Sequence, residues 1–120
     1  MVNRPDVLRY LEAGTRAVDL RQKVIANNLA HVDVPDYRRS EVAFESLLAD
    51  ALDQHHRLDL EEVAPQVHQP GSTPVKPNGN DVDLEQEIGA LIKNSGRYKA
   101  YARLLNKTFR QMHLAISGRL

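Results

Sequence analysis

The stretch that decides the fold is the last third of the chain, DLEQEIGALIKNSGRYKAYARLLNKTFRQMHLAI (residues 83–116). Asp83 followed by Gln86 resembles a capping box, and acidic residues precede basic ones, so a helix is predicted to begin here. Positions spaced alternately four and three residues apart form a seam in which all but one side chain is apolar: Leu84, Ile88, Leu91, Ser95, Tyr98, Ala102, Leu105, Phe109, Met112 and Ile116. Such a heptad seam is typical of coiled-coil packing. The helix would be about 50 Å long, too long for a compact chain of this size.

The N-terminal region predicts a second long helix, from about Pro5 to Ala30. Asn3 is suited to cap it, and proline suits its first turn. Two apolar stripes run along it, which requires burial on two sides. The first stripe contains Leu8, Leu11, Val18, Ile25 and Leu29, and the second contains Ala13, Ala17, Leu20 and Val24. Gly14 interrupts the pattern at a cost of about 1 kcal/mol relative to alanine.

The middle of the chain is predicted to be largely irregular. Pro35 ends the first helix, and Ser40 is expected to cap a short helix that carries Phe44, Leu47, Leu48 and Leu52. Residues 65–80 contain four of the six prolines, which indicates a loop with at most a short extended piece. The prediction is a mainly α fold of one structural domain, with long terminal helices packing as a coiled coil. Its segments are residues 1–54, an irregular acidic loop at 55–82, and 83–120.

Composition excludes several classes of function. The chain has 120 residues, no cysteine and a formal net charge of zero, so thiolate metal sites and binding driven by phosphate neutralisation are not expected. Residues 51–83 carry a net charge of −4 and residues 84–120 a net charge of +5. No apolar run is long enough for a membrane span, and the N-terminus lacks the pattern of a cleaved signal peptide.

The candidate chemistry is sparse. His55, His56, Asp59 and Glu62 could be imagined as a metal site, but adjacent histidines point in different directions and no zinc signature is present. Asn78, Asn80 and Asp83 resemble part of a calcium loop, although a turn followed by a helix cap explains them better. No phosphate-binding loop or nucleophile elbow occurs. We therefore predict no enzyme activity, no catalytic residues, no cofactor and no metal.

Two stretches resemble the bacterial flagellar rod and hook protein family. The N-terminal one, RQKVIANNLAHVDVPDYRRSEVAFESLL, matches the family motif at Ala26, Asn28, Ala30, Asp33, Pro35 and Tyr37. His31, Val34 and Asp36 replace the usual Asn, Thr and Gly, and glycine would adopt positive φ more readily than aspartate. The C-terminal stretch resembles the proximal rod proteins within this family, with matches at Gly79, Asn80, Val82, Asp83, Leu84, Glu87, Asn94, Tyr98, Leu105, Phe109 and Ile116.

The resemblance implies a structural subunit of the proximal rod, the base of the flagellar drive shaft. Subunits of this kind are exported largely unfolded through the flagellar type III apparatus without a cleaved signal peptide. They polymerise through their terminal helices. The implied partners are further copies of the chain, the FlgC rod protein, the FliE adaptor and the MS ring, with neither nucleic acid nor direct membrane insertion. The implied location is the basal-body rod.

We expect an assembly interface that combines the apolar stripes with the motif residues. Its predicted members are Leu11, Val18, Ile25, Asn28, Pro35, Tyr37, Leu84, Ile88, Leu91, Asn94, Tyr98, Leu105, Phe109, Met112 and Ile116. Two alternatives remain open at this stage. An unrelated helical adaptor or secretion-needle-like subunit would share the seam but not the asparagine–proline motif, and a small metal enzyme would use the histidine pair.

Overall fold

The computed structural model describes residues 4–53 and 64–118 of the chain. These residues form α1 (Arg4–Ala30), β1 (Glu41–Ala43), α2 (Glu45–Asp53), β2 (Gln66–His68) and α3 (Leu84–Ser117). The predicted mainly α fold, with two long terminal helices and a short middle one, is confirmed. Asn3 and the candidate metal ligands His55, His56, Asp59 and Glu62 lie outside the described residues.

The two long helices pack side by side and run in opposite directions. Asn94 of α3 contacts Val18 of α1, and Tyr101 lies farther along α3 against Gly14. A Cβ added at Gly14 would overlap the tyrosine ring, so the glycine that weakens α1 locally permits this close approach. The molecule is elongated, with principal extents of 64 × 28 × 16 Å.

A second surface of α1 is covered by the middle of the chain. Ala13 and Ala17 are buried against Phe44, with Leu48 and Ala51 packed around them. The expectation that α1 needs burial on two sides is therefore confirmed, because α3 covers one side and the α2 region covers the other.

The predicted start of the short middle helix is wrong. Ser40 does not cap it: residues 41–43 form β1, which pairs antiparallel with β2 so that Val42 lies opposite Val67. The backbone of Ser40 is instead bonded in both directions to Asn28, which keeps the chain extended. The helix begins at Glu45.

The predicted N-cap of α3 is correct. Asp83 is its N-cap, with Oδ1 accepting hydrogen bonds from the backbone N–H groups of Glu85 (2.9 Å) and Gln86 (3.2 Å). Gly118 ends the helix in the left-handed conformation, with φ 70°. Within residues 4–53 and 64–118, none of the helices combines the length and apolar character that crossing a membrane requires.

Candidate assembly site

Polar residues of both sequence motifs meet where α1 ends and α3 begins. We call this region the junction and define it by Asn28, Tyr37, Arg39, Ser40, Asn80, Asp81 and Glu87. It lies among the end of α1, the turn at residues 31–37, the loop before α3 and the first turn of α3. The junction thus joins segments that are about 50 residues apart in sequence.

Asn28 is the centre of the junction and is completely buried. Its Nδ2 donates to Ser40 O (2.8 Å) and Glu87 Oε2 (3.3 Å). Its Oδ1 accepts from Ser40 N (3.0 Å) and from the Tyr37 hydroxyl (3.3 Å). Two donors and two acceptor positions are all that an amide offers. No other side chain of similar size can make the same four bonds, which explains an asparagine on a buried helix face.

Arg39 and Glu87 form an ion pair inside the junction. Arg39 Nε donates to Glu87 Oε1 at 2.7 Å, and Glu87 is only 1% exposed. The Arg39 guanidinium also donates to Glu41. Burial acts to lower the pKa of Arg39, but the bonds to Glu41 and Glu87 outweigh it and raise that pKa above its ordinary value. Arg39 therefore stays charged, and removing it would leave Glu87 as an uncompensated buried charge.

The Tyr37 side chain covers the outer edge of the junction. Its ring stacks on His31 with a centroid separation of 4.5 Å. Burial, followed by the charge of Glu87, raises the pKa of Tyr37, while the bond from Asn27 acts in the opposite direction. The hydroxyl therefore remains protonated at neutral pH and can donate to Asn28.

The loop before α3 is tied to the turn after α1 by Asn80 and Asp81. Asn80 Nδ2 donates to His31 O and Val34 O, both at 2.8 Å, and its Oδ1 accepts from Val82 N. Asp81 Oδ1 accepts from Arg39 N at 2.6 Å. Asn80 thus links the turn after α1 to the loop before α3. It belongs to a turn that precedes the N-cap of α3. No group of three or more potential metal ligands occurs in the part of the chain that the structure describes.

Asp36 takes the conformation that glycine would adopt more readily. Its φ is 62°, and its N–H donates to Asn78 O at 3.0 Å. Gly79 faces it with φ 85°, and a Cβ added there would overlap the Asp36 carboxylate. The turn is therefore formed despite the substitution noted in the sequence, and Gly79 provides the space for the larger side chain.

Asn94 is a second buried amide, halfway along the contact between the long helices. Its Nδ2 donates to Val18 O and Gln22 Oε1, each at 3.0 Å. Asn94 and Glu87 lie one heptad apart and both face α1. The inner face of α3 is consequently partly polar, and much of the apolar seam lies beside that face.

The predicted interface residues fall into three groups. Five are buried within this chain: Leu11, Val18, Ile25, Asn28 and Asn94. Leu91, Leu105, Met112 and Tyr37 are half-buried, and Pro35 is exposed. The remaining five form what we call the exposed apolar face of α3, with exposed fractions of 44–84%: Leu84, Ile88, Tyr98, Phe109 and Ile116. Whether this face contacts another copy stays a prediction.

Sequence reasoning missed several junction residues. The sequence did not indicate Arg39 or Asp81, and it indicated Ser40 only as a helix cap, because these residues belong to no periodic pattern and act through backbone groups or long-range partners. The only available signal was a pair of arginines directly after a turn, which is more often a solvated feature.

The chain is similar in sequence to several known flagellar proteins. The chain is 29% identical over 120 residues to the flagellar basal body rod protein FlgB of Bacillus subtilis, covering 92% of this chain and 93% of the relative. It is 29% identical over 126 residues to FlgB of Borreliella burgdorferi, with 90% of each chain covered. The chain resembles the flagellar rod protein FlgB. A third FlgB, from Aeromonas hydrophila, is 27% identical over 82% of this chain and 83% of its own length.

The FlgB resemblance extends along the chain and is not confined to either motif. No protein-family profile matches the chain. The match to Bacillus subtilis FlgB covers 92% of this chain, so it includes the end of α1, the turn that follows and the start of α3. The resemblance therefore includes both halves of the junction.

Proposed function

We propose that the chain is a structural subunit of the bacterial flagellar basal-body rod, in its proximal part. It self-assembles through its terminal helices into the drive shaft that connects the MS ring to the distal rod and hook. The relatives, each named as the flagellar basal body rod protein FlgB, support the assignment to the basal-body rod. Its proposed neighbours are further copies, FlgC, the FliE adaptor and the MS ring. Its role is structural and not catalytic, and it reaches the rod through the flagellar type III apparatus.

The observation that carries the proposal is the exposed apolar face of α3. Helix α1 covers the side of α3 that contains Glu87 and Asn94, whereas Phe109 is 51% exposed and Ile116 is 84% exposed. A continuous apolar helix face in water is unfavourable and marks an interaction site. A contact between different surfaces of identical subunits generates an open helical filament when its rotation does not close a ring.

The test is deletion of the gene in the source bacterium. We expect loss of motility in soft agar and basal bodies that lack the rod and everything distal to it in electron micrographs. The wild-type gene supplied on a plasmid should restore both. Complete rods in the deletion strain would refute the proposal.

A further inference from the structure

Four basic side chains form a line along the outer side of α3. All four are exposed, and they recur at intervals of four, four and three residues, which places them on one helix face. We call them the basic stripe: Lys99, Arg103, Lys107 and Arg110. Tyr101 lies against Gly14 of α1, and Arg103, two residues later, is rotated from it by about 200° about the helix axis. The basic stripe therefore points away from α1.

The basic stripe has no counter-charge on its own part of the helix. The sequence contains no acidic residue between Ile88 and Ser117. Within residues 4–53 and 64–118, no ion pair engages a member of the stripe. Like charges four residues apart destabilise a helix. The stripe is therefore unfavourable in the isolated chain, and an anionic surface placed against it would remove the repulsion.

Helix α2 carries the opposite charge on its outer side. Leu48 and Ala51 pack inward, against the cluster that contains Phe44. Four exposed residues recur on the other side of the helix at intervals of three and four, and we call them the α2 outer face: Ser46, Ala49, Asp50 and Asp53. This face consists of two carboxylates and two small side chains. Among the described residues, neither carboxylate forms an ion pair.

The basic stripe and the α2 outer face cannot meet within one chain, because they belong to different helices and both point away from α1. They match in length. Lys99 and Arg110 are 11 residues apart on α3, or about 16 Å, and the nine residues of α2 span about 14 Å. Opposite charges on two outward surfaces of the same chain favour contact between molecules and fix their orientation.

We infer that the basic stripe of one copy binds the α2 outer face of a second copy. Asp50 and Asp53 accept hydrogen bonds from cations of the stripe. Ser46 and Ala49 are small enough for the aliphatic stems of the arginine and lysine side chains to lie across them. Because exposed ion pairs are individually weak, the contact sets the orientation of neighbouring copies more than their affinity.

The contact joins two different surfaces, so each copy keeps one of them available for a further copy. This inference rests on the proposed function, because it names one contact of the self-assembly proposed there. It is separate from the exposed apolar face of α3, since Phe109 lies on another side of the helix from its neighbours Lys107 and Arg110.

The test is cross-linking between full-length single-cysteine chains, since the natural chain contains no cysteine. An Ala49→Cys chain is mixed with a Gly96→Cys chain and treated with a short bis-maleimide. Gly96 precedes Arg103 by one heptad and has open space around it. The control mixture replaces Ala49→Cys by Ala26→Cys, at an exposed position of α1. We expect about ten-fold more mixed dimer from the first pair, because docking raises the local concentration of the two thiols.

Charge reversal then tests the chemistry of the contact. The acidic reversal is Asp50→Lys with Asp53→Lys on the chain with the α2 cysteine, and the basic reversal is Arg103→Glu with Lys107→Glu on the chain with the α3 cysteine. Each reversal alone should lower the dimer yield about ten-fold. The two reversed chains together should restore it, because opposite charges face each other again. The yield should also fall in 1 M salt, where the screening length is about 3 Å.

A matched control separates this contact from general charge attraction. Glu12→Lys with Asp19→Lys makes the same charge change as the acidic reversal, but at exposed positions of α1. Placed on the chain with the α2 cysteine, it should not restore the yield with the basic reversal.

The inference is overturned if the two cysteine mixtures give equal yields, or if either reversal leaves the yield unchanged. It is also overturned if the two reversed chains do not restore the dimer, which would point to an anionic partner other than a second copy. The gene-deletion experiment uses none of these variants. A missing rod in the deletion strain together with missing cross-links would therefore reject this contact and leave the proposed function standing.

Discussion

Replacing Asn28 by aspartate should destabilise the fold far more than the same change one residue earlier. The substitution preserves the shape of the side chain, and its oxygens can still accept from Ser40 N and the Tyr37 hydroxyl. It removes the two donated bonds, to Ser40 O at 2.8 Å and to Glu87 Oε2 at 3.3 Å. It also places a second carboxylate beside Glu87 inside the junction.

The magnitude follows from these losses. An acceptor left unsatisfied in a buried site costs about 1–3 kcal/mol, and two are left here. Repulsion between the carboxylates adds to this, so the free energy of unfolding should fall by about 3–5 kcal/mol at neutral pH. That is a large share of the roughly 5–15 kcal/mol available to an ordinary domain.

Asn27→Asp is the matched control. Asn27 is exposed, and among the described residues its side chain donates to the Tyr37 hydroxyl alone, at 3.0 Å. The Asn27→Asp substitution should therefore lower the free energy of unfolding by about 1 kcal/mol. Both positions lie in the last turn of α1, so the unfavourable effect of a negative charge on the helix dipole is similar in the two variants.

The assay is urea unfolding followed by circular dichroism at several pH values. Burial beside Glu87 should raise the pKa of the introduced carboxyl. The Asn28→Asp defect should therefore be smallest below the unfolded-state pKa of about 3.9 and grow as the pH rises through the raised folded-state pKa. Equal losses in the two variants, or a defect that does not change with pH, would refute the role assigned to Asn28.

Three further predictions follow from other parts of the chain. Gly14→Ala should lower stability because the new Cβ displaces Tyr101, whereas Gly96→Ala, with open space around it, should raise stability by about 1 kcal/mol; opposite shifts in thermal midpoint would confirm the contrast. Phe109→Asp should abolish rod assembly and motility while export continues, since it puts a charge into the proposed apolar contact; normal swimming would contradict this. Burial opposes ionisation of Glu45, but the bond from Arg21 holds its pKa below the usual 4.5. The stabilisation of the fold by this ion pair is therefore complete above pH 4.5 and disappears as the pH falls through the lowered pKa, so Glu45→Gln should make stability depend less on pH in the acid range.

The sequence by itself determined the two long helices, the N-cap of α3 and the main break. Apolar periodicity and capping residues are local properties, so α1, the N-cap at Asp83 and the end of the first helix before Pro35 could be predicted without knowing what packs where. The two stripes on α1 likewise indicated burial on two sides. The motif matches also indicated the flagellar rod family before any contact was known.

Only the tertiary structure decided which residues hold the helices together. Heptad spacing alone does not give the rotation of α3 about its axis. The polar pairs of Glu87 with Arg39 and of Asn94 with Gln22 turn a partly polar face toward α1 and leave Phe109 exposed. The short β-pairing that replaced the expected helix start at Ser40 was equally invisible. Such contacts depend on partners far away in sequence, and a buried polar group is stable only where the fold brings its particular partner within hydrogen-bonding distance.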